Sequence, residues 1–238
     1  FKNHSYISFN LSDFTFSTDI IWDIIKVGLP ASLSMIVMAV GQGVFNKILV
    51  HISVNTVAAY QVAGRLDMLV FLPIFSIAAS LTTLVGMFYG AKEYGALRYI
   101  IKYGIFSALL ITIISSIIVY TFAGNVVRFF TDDAAIVIIA VNFLQIFAFA
   151  YPFIAVGITT GRVLQGLGKG LPVLIITIVR VLGVSAPLAL FFVFIMDKTV
   201  EWVWYSMMLS TIVAFGIGLT WLISTLKTLP TSGQSLNN

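Results

Sequence analysis

The sequence predicts an all-α polytopic membrane protein, a bundle of six transmembrane helices. Three observations carry that prediction. Of 238 residues, 60% are hydrophobic and only 9% charged, where soluble domains carry about 25% charged residues. Mean hydropathy is +1.06. The apolar residues also gather into six blocks, each meeting the roughly 20 residues that a helix needs to cross a hydrocarbon core about 30 Å thick. A water-soluble globule of this composition lacks the polar surface to cover itself. Soluble enzymes, nucleic-acid-binding domains and disordered chains are thereby excluded.

The leader, residues 1–26, is polar and reads as a cytoplasmic linker. Its end carries Ile20, Ile21, Ile24 and Ile25 at helical spacing, with Asp19, Asp23 and Lys26 elsewhere around the wheel. That pattern fits either an amphipathic helix lying on the inner leaflet or the first turns of the first span. The bundle proper is expected over residues 27–226, in blocks Val27–Val50, Val54–Phe88, Tyr99–Phe122, Ala134–Thr160, Leu171–Met196 and Val200–Leu226. Charge or turn residues break them: Lys92-Glu93, Asp132-Asp133, Gly166 to Gly170 and Asp197-Lys198. Residues 227–238 form a polar cytoplasmic tail. The chain opens on Phe1 and a polar stretch, with no cleavable signal peptide in view, as expected of one half of something longer.

Basic residues are retained on the cytoplasmic side of a membrane. One set of helix ends holds Lys2, Lys26, Lys92, Arg98, Lys102, Arg162, Lys169 and Lys227; the other holds Lys47, Arg128 and Lys198. Both termini are therefore expected in the cytoplasm, with the protein in the plasma (inner) membrane. Trp22, Tyr89, Tyr120, Trp202, Trp204 and Tyr205 lie near block ends and are expected in the interfacial belts.

Prolines punctuate the blocks. Pro30 and Pro172 each follow Gly-Leu and are expected in the first turn of a helix, where a missing N–H costs nothing. Pro73, Pro152 and Pro187 lie mid-span, where each frees a backbone carbonyl and kinks its helix, often beside a cavity or moving segment.

Ionisable groups at bilayer depth are expensive and mark candidate sites. Asp67 and Arg65 are two apart, so they project about 200° apart around a helix and cannot pair with each other. Both either face a cavity or sit at the outer headgroup level. Arg180 lies about 12 Å into the fifth block by helix rise, where it either snorkels or faces a cavity, and Arg162 is placed to snorkel. Gln42 and Asn46 share one face of the first span, and Asn142 and Gln145 one face of the fourth; Gln61 precedes Arg65 by about a turn. Such amides either tie helices together or line a polar path.

Enzymatic chemistry is not expected. His4 and His51 fall in the leader and an outer loop, cysteine is absent, and no metal-ligand spacing or nucleophile with its base is visible. Gly166-Leu-Gly-Lys-Gly170 lacks the spacing of a phosphate loop and reads as a tight cytoplasmic turn.

Several segments, ordered along the chain, resemble one family. Gly28-Leu-Pro-Ala-Ser-Leu33 opens a span. Ala58-Ala-Tyr-Gln-Val-Ala-Gly-Arg-Leu-Asp-Met-Leu-Val-Phe-Leu-Pro73 is followed by Leu84-Val-Gly-Met-Phe-Tyr-Gly-Ala-Lys92. Then come Tyr151-Pro152, Val163-Leu-Gln-Gly-Leu-Gly-Lys169, and Arg180 with Pro187. Over roughly Ile24 to Leu226 the chain resembles the multidrug and toxic compound extrusion (MATE) transporters. The resemblance implies one of two six-helix lobes, the C-terminal one, partnered by an N-terminal six-helix half. It also implies exchange of sodium ions or protons for organic, often cationic, small molecules by alternating access, with no cofactor beyond that coupling ion. Some members carry an acidic residue in the first and fourth helices of this lobe. Met38 and Ile154 stand about where those acids would fall, which leaves Asp67 as the embedded carboxylate. The pathway candidates are thus Asp67, Arg65, Gln61, Gln42, Asn46, Arg180 and Gln145. The alternative is a flippase for lipid-linked saccharide from the same wider superfamily, which would present clustered cations to phosphate.

Overall fold

The computed structural model describes residues 17–230. The first sixteen residues of the leader, with Lys2 and His4, and tail residues 231–238 lie outside the described residues. Six helices follow one another: α1 (Thr18–Ile52), α2 (Val54–Gly90), α3 (Tyr94–Arg128), α4 (Ala134–Gly166), α5 (Leu171–Ile195) and α6 (Glu201–Lys227). All six are long and apolar enough to span a bilayer. Three of them, α1, α3 and α4, run a turn or more past the expected blocks, because polar residues such as Arg98 and Arg128 continue a helix beyond the hydrocarbon.

Helix starts are set by local chemistry. The Ser17 side chain accepts from Ile20 N–H at the head of α1, Ser53 caps α2 through Thr56 N–H, and Asp133 caps α4 through Ala135 and Ile136 N–H. Because α1 begins at Thr18, the stretch Asp19–Lys26 forms its first turns, continuous with the span. Pro30 is consequently not in a first turn as expected: it sits about three turns inside α1. Pro172 does occupy the first turn of its helix.

α4 is the central element, packed against α2, α3 and α6, while α1 pairs with α5 on one flank. The up-and-down order gathers like ends. At one end an Arg98 guanidinium nitrogen donates to the Leu226 and Leu229 carbonyls at 3.2 and 2.9 Å, and Lys169 Nζ donates to Thr225 Oγ1 at 3.3 Å. The α4–α5 turn is tight. Gly168 adopts φ +75°, a conformation that favours glycine, and a Cβ on Gly170 would lie 2.7 Å from the Val27 carbonyl oxygen of α1.

The core is apolar and close-packed. One cluster joins Phe45, Leu49, Leu66, Phe143 and Trp204 in the half of the bundle remote from that end, and another joins Leu81, Val85, Leu97 and Leu164 near it. Trp204 corrects the sequence reading. It is 0% exposed, with its ring stacked on Tyr60 and edge-on to Phe143. The ring faces inward because α2 and α4 cover that side of α6. Trp22, Tyr89, Tyr120, Trp202 and Tyr205 remain on the outside.

Candidate functional site

A cavity of about 680 Å³ opens among α1, α2, α4, α5 and α6, within the size range of small-molecule sites. Its polar lining comes from Gln42 on α1, Gln61, Arg65 and Asp67 on α2, Arg180 and Ser185 on α5, and Ser210 and Thr211 on α6. The apolar lining includes Met35, Met38, Phe45, Tyr60, Phe147 and Met207. Thioethers and aromatic rings make a wall that adapts to irregular apolar shapes.

Asp67 is half-buried, and its Oδ1 accepts a hydrogen bond from the Tyr151 hydroxyl at 2.5 Å. Tyr151 belongs to α4, is itself fully buried, and packs edge-on against Phe71 one turn along α2 from Asp67. The carboxylate is thus held from the side by the central helix. Arg65 is exposed where it lines the cavity, and Arg180 is half-buried. The separate directions expected for Arg65 and Asp67 still bring both to one cavity, since it is wide enough to meet about half of the α2 circumference.

Arg180 lies at the start of a departure from ideal helix. Over Val179–Ser185 the fifth helix is wound as π-helix, and again over Phe191–Ile195. Ala186 N–H bonds the Val181 carbonyl, five residues back. Pro187, which has no N–H, sits just after this stretch, where the ladder returns to α. Such widened turns recur at functional sites. The approach of α1 to the same stretch is close: a Cβ on Gly41 would overlap Val181 Cγ1.

Of the seven pathway candidates, Asp67, Arg65, Gln61, Gln42 and Arg180 line this cavity. Asn46 lies beside it, accepting from Gln61 Nε2 at 3.4 Å and so tying α1 to α2. Gln145 is elsewhere. With Asn142, Tyr120, Phe149 and Tyr205 it lines a second cavity of about 500 Å³ on the other side of α4. Spacing on one helix showed that Asn142 and Gln145 share a face, but not which face that is. Arg162 is exposed near the basic end and donates to Gln165 Oε1 at 3.2 Å.

Met38 and Ile154, where the resemblance places acids, both line the main cavity. Sequence reasoning missed Tyr151 as the partner of Asp67, because 84 residues separate them. It also missed Tyr60, Ser185 and the methionines as lining residues; helical wheels for α1 and α6 could have gathered Met35, Met38 and Met207 only with the packing known.

The MatE family model matches residues 30–191, more than half of the chain. The chain belongs to the MatE family. It is 29% identical over 167 residues to the "Probable multidrug resistance protein NorM" of Thermotoga maritima, an alignment covering 70% of this chain and 36% of that relative. Among solved structures it is similar to MATE in the straight conformation, at TM-score 0.89 and 29% identity, over 96% of this chain and 51% of that one. It is also similar to a MOP superfamily transporter from Pyrococcus furiosus whose reversed binding-pocket polarity suggests a different function, at TM-score 0.87 and 30% identity, over 97% and 52%. The chain therefore spans about half the length of these solved MATE-type transporters. These relatives are transporters, not enzymes, and the chain is a multi-pass membrane protein of the same family.

Proposed function

We infer that this chain is one lobe, the C-terminal one, of a secondary antiporter. It exports drugs or other amphipathic organic compounds in exchange for sodium ions or protons. The observation that carries the reading is a carboxylate, Asp67, set in the wall of a cavity large enough for an organic molecule. Membership of the MatE family and the multidrug-resistance name of the Thermotoga relative support the choice of transport.

The geometry supports the following mechanism. A proton or sodium ion binds Asp67 and removes its negative charge, which changes the strength of the Tyr151 hydrogen bond and hence the hold of α4 on α2. Substrate occupies the same cavity, so ion and substrate compete for one space. The lobe rocks against the N-terminal six-helix half, and the cavity faces alternate sides of the membrane. The basic residues clustered at one end support a cytoplasmic side for that end, and with it for both termini, in a plasma-membrane protein.

The test uses inside-out vesicles containing the full-length transporter, with uptake of a fluorescent organic dye followed under an imposed sodium or proton gradient. Uptake that depends on the gradient, and that falls about tenfold or more in Asp67→Asn, is the expected result. Asn retains an oxygen able to accept from Tyr151, so the fold survives the substitution. Full uptake in Asp67→Asn would remove Asp67 from the coupling. No uptake of any dye by folded protein would instead favour the lipid-linked saccharide flippase, a reading that the convergence of Arg65 and Arg180 on one cavity makes concrete.

A further inference from the structure

Charge in the main cavity is unbalanced. Among the described residues its lining holds two guanidinium groups, Arg65 on α2 and Arg180 on α5, and one carboxylate, Asp67. Asp67 takes its hydrogen bond from Tyr151 and not from a guanidinium. The sum is +1 when Asp67 is ionised and +2 when it carries a proton, so this lobe's wall of the cavity is positive in either state. Its other polar side chains, Tyr60, Gln42, Gln61, Ser185, Ser210 and Thr211, carry no formal charge.

A positive charge held at membrane depth without a counter-charge is costly. An organic cation would add to that cost, whereas an anion would relieve it. Guanidinium offers planar, forked N–H donors that match carboxylate, sulfonate and phosphate oxygens. The remainder of the lining, Met35, Met38, Phe45 and Phe147 among it, suits an apolar body.

We propose that this cavity selects amphipathic molecules with an anionic group, which Arg65 and Arg180 bind while the thioether and aromatic wall holds the apolar part. The proposal rests on the reading of this cavity as the substrate site, but it reverses the cationic preference that the family resemblance implies. One ligand chemistry, an anionic head on an apolar body, covers both a free organic acid and a lipid phosphate.

The test is equilibrium binding to the full-length transporter in nanodiscs, with empty nanodiscs as the blank. The probe is 11-(dansylamino)undecanoic acid, compared with its methyl ester and with an analogue ending in a trimethylammonium group. The acid is expected to bind at least tenfold tighter than either analogue. Arg180→Gln should weaken the acid by about tenfold and Arg65→Gln by several-fold, while Arg180→Lys keeps part of the affinity. Arg162→Gln, which removes a charge outside the cavity, should leave binding unchanged. Displacement by naphthalene-2-sulfonate assigns the site to free organic acids, and displacement by dioleoyl phosphatidic acid alone assigns it to lipid phosphates; both outcomes support the proposal. Equal or tighter binding of the trimethylammonium analogue, or no loss in folded Arg180→Gln, overturns it. Binding is read without any gradient, so failure of antiport in vesicles and failure of anion selectivity are separate results.

Discussion

Among the helices of this bundle that carry an internal proline, α4 and α5 respond differently. α4 remains a single α-helix through Pro152. α5, with Pro187, is wound as π-helix in two stretches. In α4 the carbonyl that Pro152 leaves without its helical N–H is that of Ala148, four residues back. Ser116 Oγ on α3 donates to that oxygen at 2.7 Å. α4 is surrounded by α2, α3 and α6, so a neighbouring hydroxyl is at hand. α5 packs mainly on α1 and α6 and turns Leu171, Ile175, Leu182 and Phe194 outward. There the backbone reorganises its own ladder. A freed carbonyl in a membrane has to be satisfied; in α4 a neighbouring hydroxyl does so, and in α5 the proline falls where the winding changes. The change of winding also lies at the site: an extra residue in a turn rotates the downstream side chains by about 100° relative to an ideal helix, and Ser185, at the end of that stretch, lines the cavity together with Arg180 and Val181 near its start.

The strongest way to break this comparison is at the contact that holds the π-wound stretch in place. Gly41→Leu, which would force α1 away from Val181, is expected to destabilise by about 3 kcal/mol and to lower the thermal midpoint in detergent; an unchanged midpoint would show that α5 is free to move aside. Tyr151→Phe deprives Asp67 of its donor and loosens α4 from α2, at a cost of about 2 kcal/mol. If its melting matches the parent, the hydrogen bond contributes nothing to the anchoring of α4.

Ser116→Ala sharpens the account of α4. It should cost about 1 kcal/mol, and close to nothing when Pro152→Ala is also present, because the introduced alanine then supplies the N–H that the Ala148 carbonyl lacks. An equal cost in both backgrounds would refute the capping role of Ser116. Smallest in stability is Pro187→Ala on α5, with a change of about 1 kcal/mol or less, since the substituted residue regains an N–H. Transport should nevertheless fall several-fold if the π winding positions Ser185 against the cavity; undiminished transport would detach the winding from function.

Much of the architecture was legible because the bilayer imposes it. Spans of apolar residues bounded by Lys92-Glu93 or Asp132-Asp133 can be read directly, since length and hydropathy decide membrane crossing irrespective of neighbours. Pro30 was misplaced because helix starts respond to a single capping residue, here Ser17, which lies upstream of the apolar block. Trp204 was misplaced because an aromatic residue near a helix end can face lipid or core, and the wheel alone does not tell which. Within the site, Asp67, Arg65 and Arg180 were singled out by the cost of burying charge, a property of each residue by itself. Tyr151, the methionine wall and the separation of Gln145 from the rest depend on which helix faces which.

The sequence by itself determined that this chain is six membrane-crossing helices, that the helices alternate in direction, and that few charged groups lie at depth. Those properties follow from composition and spacing, because a hydrocarbon solvent tolerates little else. Only the tertiary structure decided that Asp67, Arg65 and Arg180 share one cavity, that Tyr151 holds the carboxylate, and that α5 unwinds where α4 does not. These are relations between residues far apart in the chain, and in a membrane, where apolar surface meets apolar lipid on every side, close packing and buried hydrogen bonds choose among helix faces that hydropathy leaves equivalent.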